Sequence, residues 1–78
     1  MTLDKAVAGK TYEVVSVDLP IDLHIRLEAL GMTKGTDIDV CETKERGTLI
    51  MKLRGTRFAI GKGISVHIEV REVAVHEH

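Results

Sequence analysis

With 78 residues, the chain is expected to form a single domain over 1–78, because two cores would each fall below about 40 residues, where disulfides or metals become necessary. Hydrophobic residues make up 44% of it, yet Tyr12 and Phe58 are the only aromatics, so the core must be built from Val, Ile, Leu and Met. A formal net charge of −1 and so few rings argue against nucleic-acid binding, which draws on excess positive charge and stacking side chains.

Residues 1–9 read as a lead-in ending at Gly9. Residues 11–17, rich in β-branched types, predict a first strand. Over residues 21–30 the period changes: Leu23, Leu27 and Leu30 fall on one stripe of a helix of about ten residues. Asp18 or Asp22 is expected as an N-terminal cap or a favourable first-turn anion, Pro20 is tolerable only at the start, and Gly31 is placed to close the helix. Residues 36–43 alternate, with Ile38 and Val40 inward and Asp37, Asp39 and Cys41 outward; Lys44 to Gly47 reads as a loop. Leu49, Met51 and Leu53 give the next strand its inner face, and Gly55-Thr56 fits a type II′ hairpin turn leading into a short strand at Arg57 to Ile60. After Gly61-Lys62-Gly63, the alternation of Ile64, Val66, Ile68 and Val70 predicts the last strand. Val73 and Val75 fall on the opposite parity, so the strand bulges or ends near Glu72, leaving 73–78 as a tail beyond a core of about 3–72.

About five short strands with one short helix after the first describe a mainly β fold, a small, partly closed barrel. Cys41 is the sole cysteine, so no internal disulfide forms, which suits a reducing compartment. No apolar stretch approaches the roughly 20 residues that span a bilayer, and no signal-peptide core precedes the first strand, so a cytoplasmic protein without membrane insertion is expected.

Charge is unevenly spread. Residues 1–43 carry four Lys/Arg against eight Asp/Glu, whereas residues 44–63 carry Lys44, Arg46, Lys52, Arg54, Arg57 and Lys62 against Glu45 alone. Lys52, Arg54, Arg57 and Lys62, with Lys44 and Arg46 at the preceding loop, would lie close together across two hairpins, either as a docking face for an acidic partner or phosphate groups, or as an ordinary solvated surface. On the helix, 100° per residue turns Ile21 and Ile25 away from the leucine stripe. Either they form a protein contact, with a partner or a second copy of the chain, or the helix is wedged so that both its sides are buried.

The chain lacks a phosphate-binding glycine loop and a Gly-x-Ser-x-Gly elbow, Cys41 has no neighbours that would activate a thiolate and reads as a packing residue, and an enzyme is not expected. His67 and Glu69, two apart on the expected last strand, share a face, and with His76 and His78 offer imidazole and carboxylate to a divalent transition metal. The ion would be Fe2+ or adventitious Zn2+, although solvated histidines account for the same residues and no cofactor is required. Proline-rich peptides are not expected as ligands, since two rings cannot line the groove they need.

Several junctions resemble one family. The helix ends Leu27-Glu28-Ala29-Leu30-Gly31-Met32, Lys34-Gly35 opens the next strand, Phe58-Ala59-Ile60-Gly61 precedes the last turn, and Val66-His67-Ile68-Glu69-Val70 ends the barrel. In this order and spacing, over roughly residues 3–72, they resemble the FeoA family of bacterial ferrous iron transport. The resemblance implies an SH3-like barrel with a helix between its first two strands. It also implies a cytosolic accessory role on the membrane GTPase transporter FeoB, and kinship with the barrel that ends iron-dependent repressors. The chain departs from the family pattern at the last turn, where Gly61 and Gly63 flank Lys62. The expectation is a non-enzymatic adaptor or regulator; the alternative is a small metal-binding or sensing module related to the repressor barrel.

Overall fold

The computed structural model describes residues 1–73. Its elements are β1 (Thr11–Val17), α1 (Ile21–Ala29), β2 (Asp37–Thr43), β3 (Leu49–Leu53), β4 (Thr56–Ile60), α2 (Lys62–Ser65) and β5 (Ile68–Glu72), with 3-10 turns at Leu3–Lys5 and Glu45–Gly47. The strands form one antiparallel sheet in the order β4-β3-β2-β1-β5. Chain neighbours pair along it, and β5 returns to the far side of β1. The mainly β fold with one short helix after the first strand is as expected.

The sheet encloses one aliphatic interior. Val14, Ile38, Val40, Leu49, Met51, Leu53, Ile68 and Val70 face it as the strand alternation requires, and Phe58 packs at its margin. Tyr12 is also inside, and its hydroxyl accepts the Val7 N–H at 2.8 Å, which satisfies the one polar atom the ring carries inward. Bulges at Val15 and Cys41 shift the register of β1 against β5 and of β2 against β3. They bend both strands into the curvature of the barrel. Cys41, read as a packing residue, lies half-buried at its bulge.

The lead-in does more than the alternation suggested. Leu3 and Ala6 are buried in the core, and Thr2 bridges to Glu69 on β5. A single turn of 3-10 helix swings Leu3 inward, an arrangement that carries no periodic signature in nine residues.

Helix α1 starts without a side-chain cap, with Pro20 as the N-cap residue; of the two expected roles Asp22 takes the second, as an anion in the first turn. Its other end is the expected glycine closure. Gly31 adopts φ 102°, its N–H donates to Glu28 O at 2.9 Å, and Met32 N–H reaches back to Leu27 O at 2.9 Å. This is a Schellman motif, and it moves the stripe. Leu27 is buried and Leu23 half-buried, but Leu30 is exposed, because the chain leaves the helix at Leu30 and Met32 takes the inward place.

Two turns differ from the sequence reading. Leu53 pairs with Thr56, so the hairpin turn is Arg54-Gly55, with φ of 51° and 82°. Two positive angles define type I′, whose twist matches the flanking strands, and the type II′ turn at Gly55-Thr56 is not formed. The last strand is also shorter than its alternation implied. Ile64 and Ser65 both donate to Gly61 O, at 3.1 and 3.0 Å, closing a helical turn where a strand was expected. Ser65, expected outward, is fully buried, and Ile64 only borders the core. A four-residue turn with apolar residues two apart mimics a strand in sequence, and long-range closure of the barrel decides between them.

Candidate functional site

Three features of the surface carry the candidate residues. The first is the outer face of α1. Leu27 points into the core, which at 100° per residue turns Ile25 almost directly outward and Ile21 close beside it. Their exposures are 57% and 72%, the highest of the large apolar side chains on the helix. The wedged arrangement, with both faces buried, is therefore not what forms. Beside them a recess of about 310 Å³ runs between β1 and α1, lined by Val15, His24, Glu28 and Met32 among others. His24 and Glu28 lie 3.8 Å apart one helical turn from each other, on the flank of that recess.

The second is the β3–β4 hairpin. Lys52 faces Arg57 across the hairpin and Asp39 on the other side. Asp39 accepts a hydrogen bond from Thr11 Oγ1 at 2.7 Å and forms no ion pair with Lys52. Arg54, in the turn, folds its stem over Gly31 at the C-terminus of α1, where the helix dipole is negative. The ion pairs among the described residues are Met1–Glu69, Lys10–Glu72, His24–Glu28, Lys44–Glu42 and Arg71–Glu13. None of them includes Lys52, Arg54 or Arg57. Of the expected basic residues, Lys52, Arg54 and Arg57 are exposed cations without an ion pair among the described residues, while Lys44 pairs with Glu42.

The third is the set of metal ligands. His67 does not lie on the last strand; it sits in the turn before β5, exposed, with its carbonyl accepting the Asp18 N–H at 2.8 Å. That bond brings Asp18 alongside, and Asp18, His67 and Glu69 line one recess of about 260 Å³ with Thr2, Ser16 and Val66. The sequence points to Asp18 only as a helix cap or first-turn anion; its approach to His67 joins positions far apart in the chain and has no local signal. The Glu69 carboxylate is already engaged, 2.6 Å from the Met1 amino nitrogen. Among the described residues, no group of three or more His, Cys, Asp or Glu side chains is placed to hold a metal ion. His76 and His78 lie outside the described residues. The described side chains alone do not fit a ready-made metal centre.

A rolled five-stranded antiparallel sheet with one helix after its first strand defines a small SH3-like barrel protein. The FeoA domain family model matches residues 1–72, and the chain belongs to the FeoA family. A crystal structure of an iron uptake regulatory protein, FeoA, is 32% identical with a TM-score of 0.85, the match covering 94% of this chain and 97% of that one. FeoA from Stenotrophomonas maltophilia, a prokaryotic SH3 domain protein crystallised with zinc, is 28% identical with a TM-score of 0.76, over 90% of this chain and 88% of that one. The zinc-bound repressor ScaR is 22% identical with a TM-score of 0.81, over 94% of this chain but 37% of that one, and shares the fold. A search of curated proteins finds no match. No helix among the described residues is long and apolar enough to cross a membrane.

Proposed function

We propose that this chain is a non-enzymatic, cytosolic adaptor of ferrous iron uptake that acts by contact with the cytosolic part of the membrane GTPase transporter FeoB. Membership of the FeoA family supports the transport setting. The observation that carries the contact is α1, which keeps Leu27 in the core while holding Ile21 and Ile25 out in solvent. Side chains that large cost free energy when hydrated, roughly 1.5–3 kcal/mol each relative to burial, so covering them favours association. Lys52, Arg54 and Arg57 supply a cationic counterpart on the neighbouring hairpin. The test is retention of the transporter's GTPase domain on the immobilised chain. Ile21→Ser with Ile25→Ser should leave the circular dichroism spectrum unchanged and reduce retention at least about tenfold, a loss on the scale of one interface anchor. Undiminished retention by the double variant removes α1 from the interface.

A second reading, a divalent-metal module, is favoured by one observation: His67 and Glu69 open onto a shared recess with Asp18. His76 and His78 would complete the ligand set. Calorimetric titration of tag-free chain with Fe2+ under anaerobic conditions separates the readings. Stoichiometric binding abolished by His67→Ala supports the metal module; heat indistinguishable from dilution rejects it.

A further inference from the structure

We propose that the outer edge of β4 is a docking site for an extended acidic segment of another protein, which adds to the sheet as a sixth strand. The inference rests on the adaptor reading, since it gives that contact a second surface and a geometry. It begins with the hairpin register. Leu53 and Thr56 flank a two-residue turn and form a hydrogen-bonded pair. The alternation then sends the backbone groups of Thr56, Phe58 and Ile60 to β3, and those of Arg57 and Ala59 outward. β4 ends the sheet, and among the described residues no backbone group pairs with its outer side. Arg57 and Ala59 therefore offer two N–H donors and two C=O acceptors at the spacing an incoming strand needs.

Charge selects the occupant. The exposed face along this edge carries Arg57 with Lys52 directly across from it, and neither has an ion-pair partner among the described residues. A second copy docking β4 to β4 about a two-fold axis would bring Arg57 beside its own copy, with Lys52 one strand behind on each side, and like charges on neighbouring strands repel. A head-to-tail arrangement would need the outer edge of β5, which is already taken: Val70 N–H donates to Met1 O at 2.8 Å and Thr2 bridges Glu69. An incoming strand with Asp or Glu on the face beside Arg57 meets neither obstacle. The cations that keep copies apart are those that would hold an acidic strand in register.

The test is a titration of the isotope-labelled chain with an acetylated peptide of alternating Glu and Val, followed by amide hydrogen exchange. In the free chain the Arg57 and Ala59 amides should exchange fast, while those of Phe58 and Ile60 are protected. Peptide should slow Arg57 and Ala59 selectively. Ala59→Pro, which deletes one outward donor, and Arg57→Glu, which reverses the charge, should each weaken the peptide at least about tenfold, the scale of one lost hydrogen bond or charge contact. The same peptide with Lys in place of Glu should not bind. The proposal is overturned if Arg57 and Ala59 are already protected in the free chain, if the chain dimerises through β4, or if the acidic peptide leaves these amides unprotected. Retention of the transporter domain by the wild-type chain without peptide protection would leave the adaptor standing and remove the edge. Protection without retention would keep the edge and remove that partner.

Discussion

The two ends of the sheet are finished in opposite ways. At the β5 end the chain covers its own edge with Met1 and Thr2, and the exposed charges are consumed locally, Arg71 against Glu13 at 2.5 Å and Lys10 against Glu72 at 3.3 Å. At the β4 end the edge is bare among the described residues, and Lys52, Arg54 and Arg57 form no ion pair with a described carboxylate. Exposed ion pairs contribute little, about 0–1 kcal/mol each, so the difference is not mainly one of stability. It is a difference in what each end has left to offer. The closed end is chemically satisfied, and the open end keeps backbone and charge in reserve.

If that division holds, substitutions at the two ends should fall on different measurements. Ile68 is fully buried where β5 meets β1, and Ile68→Ala should cost about 2–5 kcal/mol in urea unfolding, the transfer term plus a cavity. That is a large share of the roughly 5–15 kcal/mol that holds a small domain together. Arg57→Ala at the open end should shift the same transition by no more than about 0.5 kcal/mol. A comparable loss from Arg57→Ala would mean that the open end is structural, and the contrast would dissolve.

Legibility in the sequence follows the same line between local and distant causes. The span of β1, the inward residues of β2 and β3 and the closure of α1 at Gly31 could be read directly, because alternation and a helix-ending glycine act over a few residues. Leu3 and Ser65 could not, since each is placed by contact with segments distant in the chain, and the shift from Leu30 to Met32 depends on the Schellman hydrogen bonds around Gly31, which the glycine alone does not specify. The candidate site divides likewise. Ile21 and Ile25 followed from helical geometry once Leu27 was taken inward, and the charge of the hairpin was visible as composition. The approach of Asp18 to His67 needed the fold. So did the outward direction of the Arg57 and Ala59 backbone, which depends on placing the turn at Arg54-Gly55, one residue earlier than the glycine preference alone suggests.

Among the cations of the open end, Arg54 lays its stem over the terminus of α1, and it gives the sharpest way to separate recognition from architecture there. A methyl added at Gly31 would come 2.8 Å from Arg54 Cδ and 3.0 Å from its Nε. Those atoms belong to a flexible, exposed side chain that can swing away, whereas the Gly31 φ of 102° is fixed by the Schellman closure. Gly31→Ala should therefore destabilise the chain by about 1–3 kcal/mol through backbone strain. Nearly all of that cost should persist when Arg54→Ala removes the clash, with coupling between the two substitutions below about 0.5 kcal/mol in a double-mutant cycle. Full recovery in the double variant would show instead that Arg54 is locked against the helix terminus. The guanidinium would then belong to the architecture, leaving Lys52 and Arg57 as the cations available to a partner.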